Sequence, residues 1–194
     1  MSVQLIVFPQ LALTNEFVID GTNFSAINTS SSYDSSAASV IVDALTNAAP
    51  SVVNTWFRFR STSTGTPTLP TEITNNLTLY SVTTLTLSGV YQKLSGLVIG
   101  TTYEMTIDLS TTGTGAVITG AYNGTTLINQ VSSLANQSQI THTWTAQSTN
   151  DTVVISYYNN VAANIVISNI SVAPQGVVPT NTYLDLQDGQ VICD

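Results

Sequence analysis

A strict alternation of apolar and polar residues is the feature that most constrains how this chain folds. From Tyr103 to Leu109, Tyr, Met, Ile and Leu alternate with Glu, Thr and Asp. Successive side chains of a β-strand point to opposite faces, so this period-two pattern predicts a strand with one buried face. Shorter runs of the same kind recur about every ten residues, which predicts an all-β sandwich of roughly nine to eleven strands.

The composition supports the same fold class. The chain has 194 residues, of which 43% are hydrophobic, and it contains 31 Thr, 22 Ser and 16 Asn. Threonine fits a pleated surface well, whereas the polar positions hold few good helix formers. We therefore expect a solvent-facing surface of hydroxyl and amide groups rather than of ion pairs.

The charge excludes several classes of partner. There are 3 Lys+Arg against 11 Asp+Glu, a formal net charge of −8. Nucleic-acid binding needs a basic patch, and docking on anionic lipid needs clustered cations, so neither partner is expected. No apolar stretch is long enough for a membrane span. The first ten residues lack the basic and cleavage regions of a signal peptide.

Local signals predict several smaller features. Serine clustering at residues 29–39 indicates a polar loop, and residues 40–45 fit either a strand or one helical turn. Gly89 interrupts a strand pattern, which favours a β-bulge at that position. Asn123-Gly124 lies between two alternating runs and predicts a tight hairpin.

We expect three parts in the chain. Residues 1–14 form an N-terminal strand or arm, residues 15–174 form an antiparallel jelly-roll β-sandwich, and residues 175–194 form a linker and a C-terminal hairpin. The return strand of that hairpin has barely begun at Asp194, so we expect the native chain to continue.

Both ends are expected to mediate assembly. Each is a short β-segment whose apolar side chains need cover, and a lone hairpin is marginal in water. Pairing with a neighbouring chain would supply that cover and predicts a homo-oligomer. The residues concerned are Val3, Leu5, Ile6, Val7, Phe8, Leu184, Leu186, Val191 and Ile192.

No set of residues points to catalysis. The single histidine, His142, alternates with Ile140 and Trp144, so we expect Trp144 to be buried and His142 partly buried. Glu104 and Asp108 lie on one face of one strand about 13 Å apart, whereas a glycosidase needs carboxylates about 5 to 9 Å apart. We expect no enzyme activity and no cofactor, with a structural calcium ion left open.

The segment from Trp56 to Arg60 is the most specific local feature. If Phe57 and Phe59 face the core, then Trp56, Arg58 and Arg60 share the opposite face. Three interpretations stay open for these three residues: a protein interface, a stripe internal to the fold, or a ligand platform for sugar stacking.

Two stretches resemble a known family. Residues 90–110 contain Tyr91-Gln92, then a Leu-x-x-Gly-x-x-Tyr turn and the long alternating strand. Residues 149–172 contain the last two strands predicted for the domain. Both resemble cellulose-binding-type carbohydrate-binding modules with a jelly-roll fold. The resemblance implies glycan binding. The last strand holds Asn169 where such modules usually have an acidic residue, which argues against a calcium site at that position.

Two further features resemble virion structural proteins of tailed bacteriophages. They are the Thr/Ser/Asn-rich composition with a single lysine, and the N-terminal segment MSVQLIVFPQ. This resemblance implies a non-enzymatic virion component, such as a capsid decoration, fibre or adhesin, that assembles in the host cytoplasm with copies of itself and other virion proteins. The alternative is a carbohydrate-binding module that recognises a surface polysaccharide. A glycoside hydrolase is the lesser alternative.

Overall fold

The computed structural model describes residues 27–36, 39–48, 55–62, 65–73, 76–82 and 86–175. The predicted N-terminal arm and C-terminal hairpin, with all nine assembly residues named above, lie outside these ranges. Within them the chain forms eleven strands and one helix. The elements are β1 Ile27–Ser35, α1 Val40–Asn47, β2 Trp56–Ser61, β3 Thr71–Ile73, β4 Asn76–Ser81, β5 Leu87–Lys93, β6 Thr102–Thr111, β7 Ala116–Asn123, β8 Thr126–Leu134, β9 Gln139–Thr145, β10 Thr152–Tyr158 and β11 Ala163–Pro174.

The strands form two sheets. One has six strands in the order β1-β2-β5-β10-β7-β8, and the other has five in the order β3-β4-β11-β6-β9. Strands that are adjacent in a sheet are often distant in sequence, since β10 lies between β5 and β7. All pairs in the described ranges are antiparallel except β1 with β2, which is parallel. The prediction of an all-β jelly-roll sandwich is confirmed.

The alternating residues of the strands form the main core between the sheets. Tyr103, Met105 and Ile107 of β6 are buried there, opposite Val153 and Ile155 of β10. The polar residues between them face outward. Each fully buried side chain of this size contributes about 1.5 to 3 kcal/mol relative to exposure.

A second apolar cluster lies on the outer face of the six-stranded sheet. Helix α1 packs Ala44 and Leu45 against a surface formed by Phe57, Phe59 and Tyr91. The Tyr91 hydroxyl donates a hydrogen bond of 2.7 Å to the carbonyl oxygen of Ala48, just after the helix. Burial raises the pKa of Tyr91 to about 12, so this hydroxyl stays a donor at any physiological pH.

The prediction of a loop at residues 29–39 is wrong for most of its length, because Ile27–Ser35 is strand β1. Its partner β2 supplies a parallel register in which Tyr33 lies beside Phe59. The Ser35 and Tyr33 hydroxyls donate to the Asp43 carboxylate of α1, so this polar strand is tied to the helix. Residues 40–45 belong to the helix, which resolves the two options left open.

The prediction of a bulge at Gly89 is also wrong. Strand β5 pairs with β2 and β10 through Gly89 without a shift of register. A Cβ atom at this position would lie 2.5 Å from Cζ of Phe59 and 2.5 Å from the Ile155 carbonyl oxygen. Glycine is therefore required because the Phe59 ring packs directly on the backbone, not because the strand bends.

The hairpin predicted at Asn123-Gly124 is confirmed. Strands β7 and β8 pair from Ala116–Leu134 to Asn123–Thr126. Gly124 has a φ of +61°, in the left-handed region that glycine adopts at low cost.

His142 and Trp144 lie side by side in the core. Trp144 is 3% exposed, which confirms its predicted burial, whereas His142 is 1% exposed and so more buried than expected. Their ring centroids are 6.0 Å apart, and Trp144 stacks on Tyr103 at 5.9 Å. Neither His142 nitrogen has a hydrogen-bond partner among the described residues, and burial lowers the pKa of His142 to about 4.

This lowered pKa predicts a loss of stability in mild acid. The folded His142 resists protonation until about pH 4, whereas in the unfolded chain it binds a proton near pH 6.5. Its contribution is therefore constant well above pH 6.5 and is lost as the pH falls towards 4. Between pH 7 and pH 5 the free energy of unfolding should fall by about 2 kcal/mol from this group.

Urea unfolding at the two pH values tests this expectation, with His142→Leu as the reference variant. The variant keeps the apolar volume but has no group that titrates at this position. It should lose about 2 kcal/mol less than the parent chain between pH 7 and pH 5. Equal losses in both proteins would contradict a neutral buried His142.

Candidate functional site

The outer face of the five-stranded sheet carries an ordered array of polar side chains. The registers of β11, β6 and β9 align these residues in three cross-strand rows. Ala173 is the single apolar member at the edge. We call the array the polar face; its rows are Ala173–Glu104–Thr143, Ser171–Thr106–Thr141 and Asn169–Asp108–Gln139.

The polar face is open among the described residues. Helix α1 contacts β1 and β2, which belong to the other sheet. The side chains of Thr141 and Gln139 are exposed, and those of Glu104 and Asp108 are partly exposed. Adjacent rows are about 6.6 Å apart along β6, because successive outward residues are two positions apart and each position adds roughly 3.3 Å.

Asp108 is held on both sides by amide groups. Gln139 Nε2 donates to Oδ1 at 2.8 Å, and Asn169 Nδ2 donates to Oδ2 at 3.0 Å. An ionised carboxylate has about four acceptor positions, so two remain for a ligand. The carboxylate is therefore both fixed in orientation and able to accept further hydrogen bonds.

A bulge in β11 brings Asn169 to this position. The register with β6 shifts between Ile167 and Asn169, and the Ser168 hydroxyl donates to the Asp108 carbonyl oxygen at 3.3 Å. The shift lets both Ile167 and Ile170 face the core. Asn169 then points outward beside Asp108. The last strand β11 thus contributes an amide at this site, and the carboxylate is that of Asp108 on the neighbouring strand β6.

An open groove of about 430 Å³ adjoins the polar face at the β9 edge. Asn129 of β8 closes one side by donating a hydrogen bond of 2.8 Å to the Thr143 carbonyl oxygen. Trp144 Nε1 has no hydrogen-bond partner among the described residues. We call this the edge groove; its lining residues are Thr102, Ile128, Asn129, Thr143, Trp144, Thr145 and Gln147.

The burial of Trp56 agrees with the stripe internal to the fold, which is one of the three interpretations left open. Trp56 is 2% exposed in the main core, whereas Phe57 and Phe59 lie on the opposite face beneath α1. Apolar residues on both faces of β2 are buried, which period two alone does not reveal. Trp56 is therefore internal to the fold and cannot stack on a sugar.

The two arginines of β2 contact a neighbouring loop. Arg60 donates to both carboxylate oxygens of Asp34 at 2.8 and 2.7 Å and to the Pro67 carbonyl oxygen at 3.1 Å. The hydrogen bond with Asp34 raises the pKa of Arg60. Arg58 donates to the Pro70 carbonyl oxygen at 3.2 Å. A ligand or interface role for Arg58 and Arg60 stays a prediction.

The described ranges contain neither a metal-binding cluster nor a membrane-spanning helix. No group of three or more His, Cys, Asp or Glu side chains there is placed to hold a metal ion. The one helix in those ranges has eight residues and is too short to cross a membrane.

Sequence reasoning found Glu104 and Asp108 as an outward face but missed the partners of Asp108. Gln139 comes from β9, and Asn169 depends on the β11 bulge. The apolar positions of β11 did carry a signal for that bulge. Ile165 and Ile167 are two positions apart, and so are Ile170 and Val172, but Ile167 and Ile170 are three positions apart, so the two pairs are out of phase.

No protein-family model matches the sequence, and no curated protein is significantly similar to it. Solved structures with similar folds include the enzymatically active domain of tailspike protein 4 from bacteriophage CBA120, at 11% identity and a TM-score of 0.45. That match covers 63% of this chain, which spans 20% of the tailspike structure.

Two carbohydrate-binding modules are also similar in fold. A CBM4 structure matches at 18% identity and a TM-score of 0.43, over 62% of this chain and 86% of that one. The family 11 module from Clostridium thermocellum, in complex with a β-1,3-1,4-mixed-linked tetrasaccharide, matches at 15% identity and a TM-score of 0.38, over 64% and 91%. Likenesses at this level concern the fold alone.

Proposed function

We propose that this chain is a non-catalytic carbohydrate-binding domain whose polar face and edge groove bind a neutral polysaccharide. The observation that carries the proposal is the Asp108 carboxylate, which Gln139 and Asn169 fix at the centre of one of three open rows of hydrogen-bonding groups. An oriented carboxylate with free acceptor positions forms strong hydrogen bonds with hydroxyl donors.

The chemistry of the face matches sugar hydroxyls, which both donate and accept. Threonine and serine hydroxyls do the same, while the carboxylates accept only. The rows lie on rigid strands, so little conformational freedom is lost when a ligand binds. The edge groove continues the surface past Thr143, which gives a second wall for an extended chain.

Charge selects against acidic polysaccharides on this face. Glu104 and Asp108 are its two charged side chains, and the whole chain carries a net charge of −8. A uronate on this surface would meet like charges, which costs binding energy. A neutral glycan is therefore the ligand class that we propose.

The proposal of a non-catalytic role rests on the placement of the two carboxylates. Glu104 and Asp108 lie on one strand, four residues apart and in different rows. That separation is about 13 Å along the strand, beyond the roughly 5 to 9.5 Å across which a glycosidase flanks the bond that it cleaves.

Affinity electrophoresis in gels containing barley β-glucan, xylan, laminarin or galactomannan tests the proposed function. We expect at least one of these neutral polysaccharides to retard the parent chain. Asp108→Ala and Gln139→Ala should each weaken that binding by about tenfold, because each removes a fixed hydrogen-bonding group.

Gln130→Ala is the matched control, because Gln130 is an exposed glutamine on β8 of the other sheet. It should leave the retardation unchanged, and thermal unfolding should show that all variants are folded. The proposal is wrong if no polysaccharide retards the parent chain, or if Gln130→Ala weakens binding as much as Gln139→Ala.

A second candidate function is assembly within a virion, and strand β8 favours it. This nine-residue strand lies at the edge of the six-stranded sheet and contains no charged residue and no proline. Leu127 and Leu134 on it are 47% and 61% exposed. Long uncharged edges are templates for strand pairing, which natural proteins otherwise block with charge or proline.

We propose that the partner of β8 is β8 of a second copy, paired antiparallel about a two-fold axis. A strand without charges can face its own copy without bringing like charges together, despite the net charge of −8. A two-fold contact of this kind closes on itself and yields a dimer. The virion setting rests on the sequence resemblance described above.

Sedimentation equilibrium of the parent chain and of Leu134→Lys tests this assembly. The parent chain should dimerise, and the introduced lysines should repel each other and weaken dimerisation by about tenfold. Val161→Lys is the control, because Val161 is 58% exposed but lies outside the strands. A monomeric parent chain, or equal effects of the two variants, would overturn the idea.

A further inference from the structure

A second cavity lies away from the polar face, at one end of the six-stranded sheet. Its volume is about 290 Å³, and it forms where α1, the end of β5, the β7–β8 turn and the β9–β10 loop meet. We call it the lysine cavity; its lining residues are Leu45, Lys93, Asn123, Gly124, Ser148, Asn150 and Thr152.

Lys93 is the sole lysine of the chain, and it lines this cavity. Lys93 forms no ion pair with a carboxylate among the described residues. The chain has only three Lys+Arg, and one of them thus lines this cavity.

The neighbouring carboxylate cannot serve as that partner. Asp151 is fully buried, and its Oδ1 accepts hydrogen bonds from the Ser148 backbone nitrogen at 3.0 Å and from Ser148 Oγ at 2.7 Å. Its Oδ2 accepts from the Gln147 backbone nitrogen at 3.0 Å. Asp151 thus fixes the β9–β10 loop and holds Ser148 at the cavity wall.

The register of the sheet fixes the rest of the wall. Lys93 lies beside Thr152, and Thr152 lies beside Tyr122, the residue before Asn123. Three adjacent strands therefore deliver an ammonium, a hydroxyl and an amide to one end of the sheet. These groups sit on regular strands and a tight turn, which pre-organises them for a ligand.

We propose that the lysine cavity binds the carboxylate of an acidic sugar residue such as a hexuronate. The Lys93 ammonium can only donate, so it selects an acceptor, and a carboxylate accepts most strongly. Ser148 Oγ donates its hydrogen to Asp151, so it can only accept from a ring hydroxyl, whereas the Asn123 amide can donate and accept. The volume of about 290 Å³ is just below the roughly 300 to 1,000 Å³ of ligand pockets, which suits a single sugar ring.

This site goes beyond the proposed neutral-glycan site, because it lies on the other sheet and takes the opposite class of sugar. The surrounding charge of −8 disfavours ligands with several negative groups. A single carboxylate directed at Lys93 is the charge that the cavity can balance.

Amide chemical-shift titrations of the ¹⁵N-labelled full chain with sodium glucuronate, glucose and sodium acetate test the proposal. Glucose lacks the carboxylate, and acetate lacks the ring. Glucuronate should bind about tenfold more tightly than either, with the largest shifts at Gly124, Ser148 and Thr152.

Two variants assign the effect to the ammonium. Lys93→Gln should reduce the preference for glucuronate over glucose to below about twofold, and Lys93→Arg should keep it, because it keeps the charge. Retardation of Lys93→Gln by a neutral polysaccharide should match the parent chain. Equal binding of glucuronate and acetate, or an unchanged preference in Lys93→Gln, would overturn the proposal.

Discussion

Strands β2, β5 and β10 of the six-stranded sheet are buried on both faces, and the rest of the structure depends on this constraint. On β2, Trp56 points into the main core while Phe59 points to the opposite face, and both are almost fully buried. A sheet that is apolar on both sides must be covered on both. Helix α1 covers the outer face. The Tyr91–Ala48 and Tyr33–Asp43 hydrogen bonds connect the helix segment to strands β5 and β1.

This constraint leaves the five-stranded sheet as the open face of the described sandwich. Strands β6 and β9 of this sheet alternate between buried and more exposed residues, so their outer residues are not constrained by packing. In β6 the outer positions are Glu104, Thr106 and Asp108, and the flanking strands add further hydrogen-bonding groups. The proposed glycan surface therefore lies on the face that the architecture leaves open, and Asp108 is held there by two amide groups.

The fold class and the local elements could be predicted from the sequence because their signals are local. The alternation of β6 and the Asn123-Gly124 hairpin each depend on a few neighbouring residues. The faces of β2 and the strand β1 could not be predicted, since both depend on contacts with α1 and with distant strands. Gly89 belongs to the same class, because its reason is the Phe59 ring thirty residues away.

The candidate site was predictable only in part for the same reason. The outward direction of Glu104 and Asp108 follows from period two, but the partners of Asp108 come from two other strands. The phase change of the isoleucines of β11 indicates the bulge at Ser168. That this bulge places Asn169 beside Asp108 can be known only from the register with β6.

We propose above all that the polar face of the five-stranded sheet is the glycan-binding surface. Amide chemical-shift mapping of the full chain, with an oligosaccharide cut from the neutral polysaccharide that binds it best, tests this most directly. We expect the largest shifts on β6, β9 and β11 and none on α1 and β2. Shifts that cluster on α1 and β2, with the polar face unchanged, would contradict it.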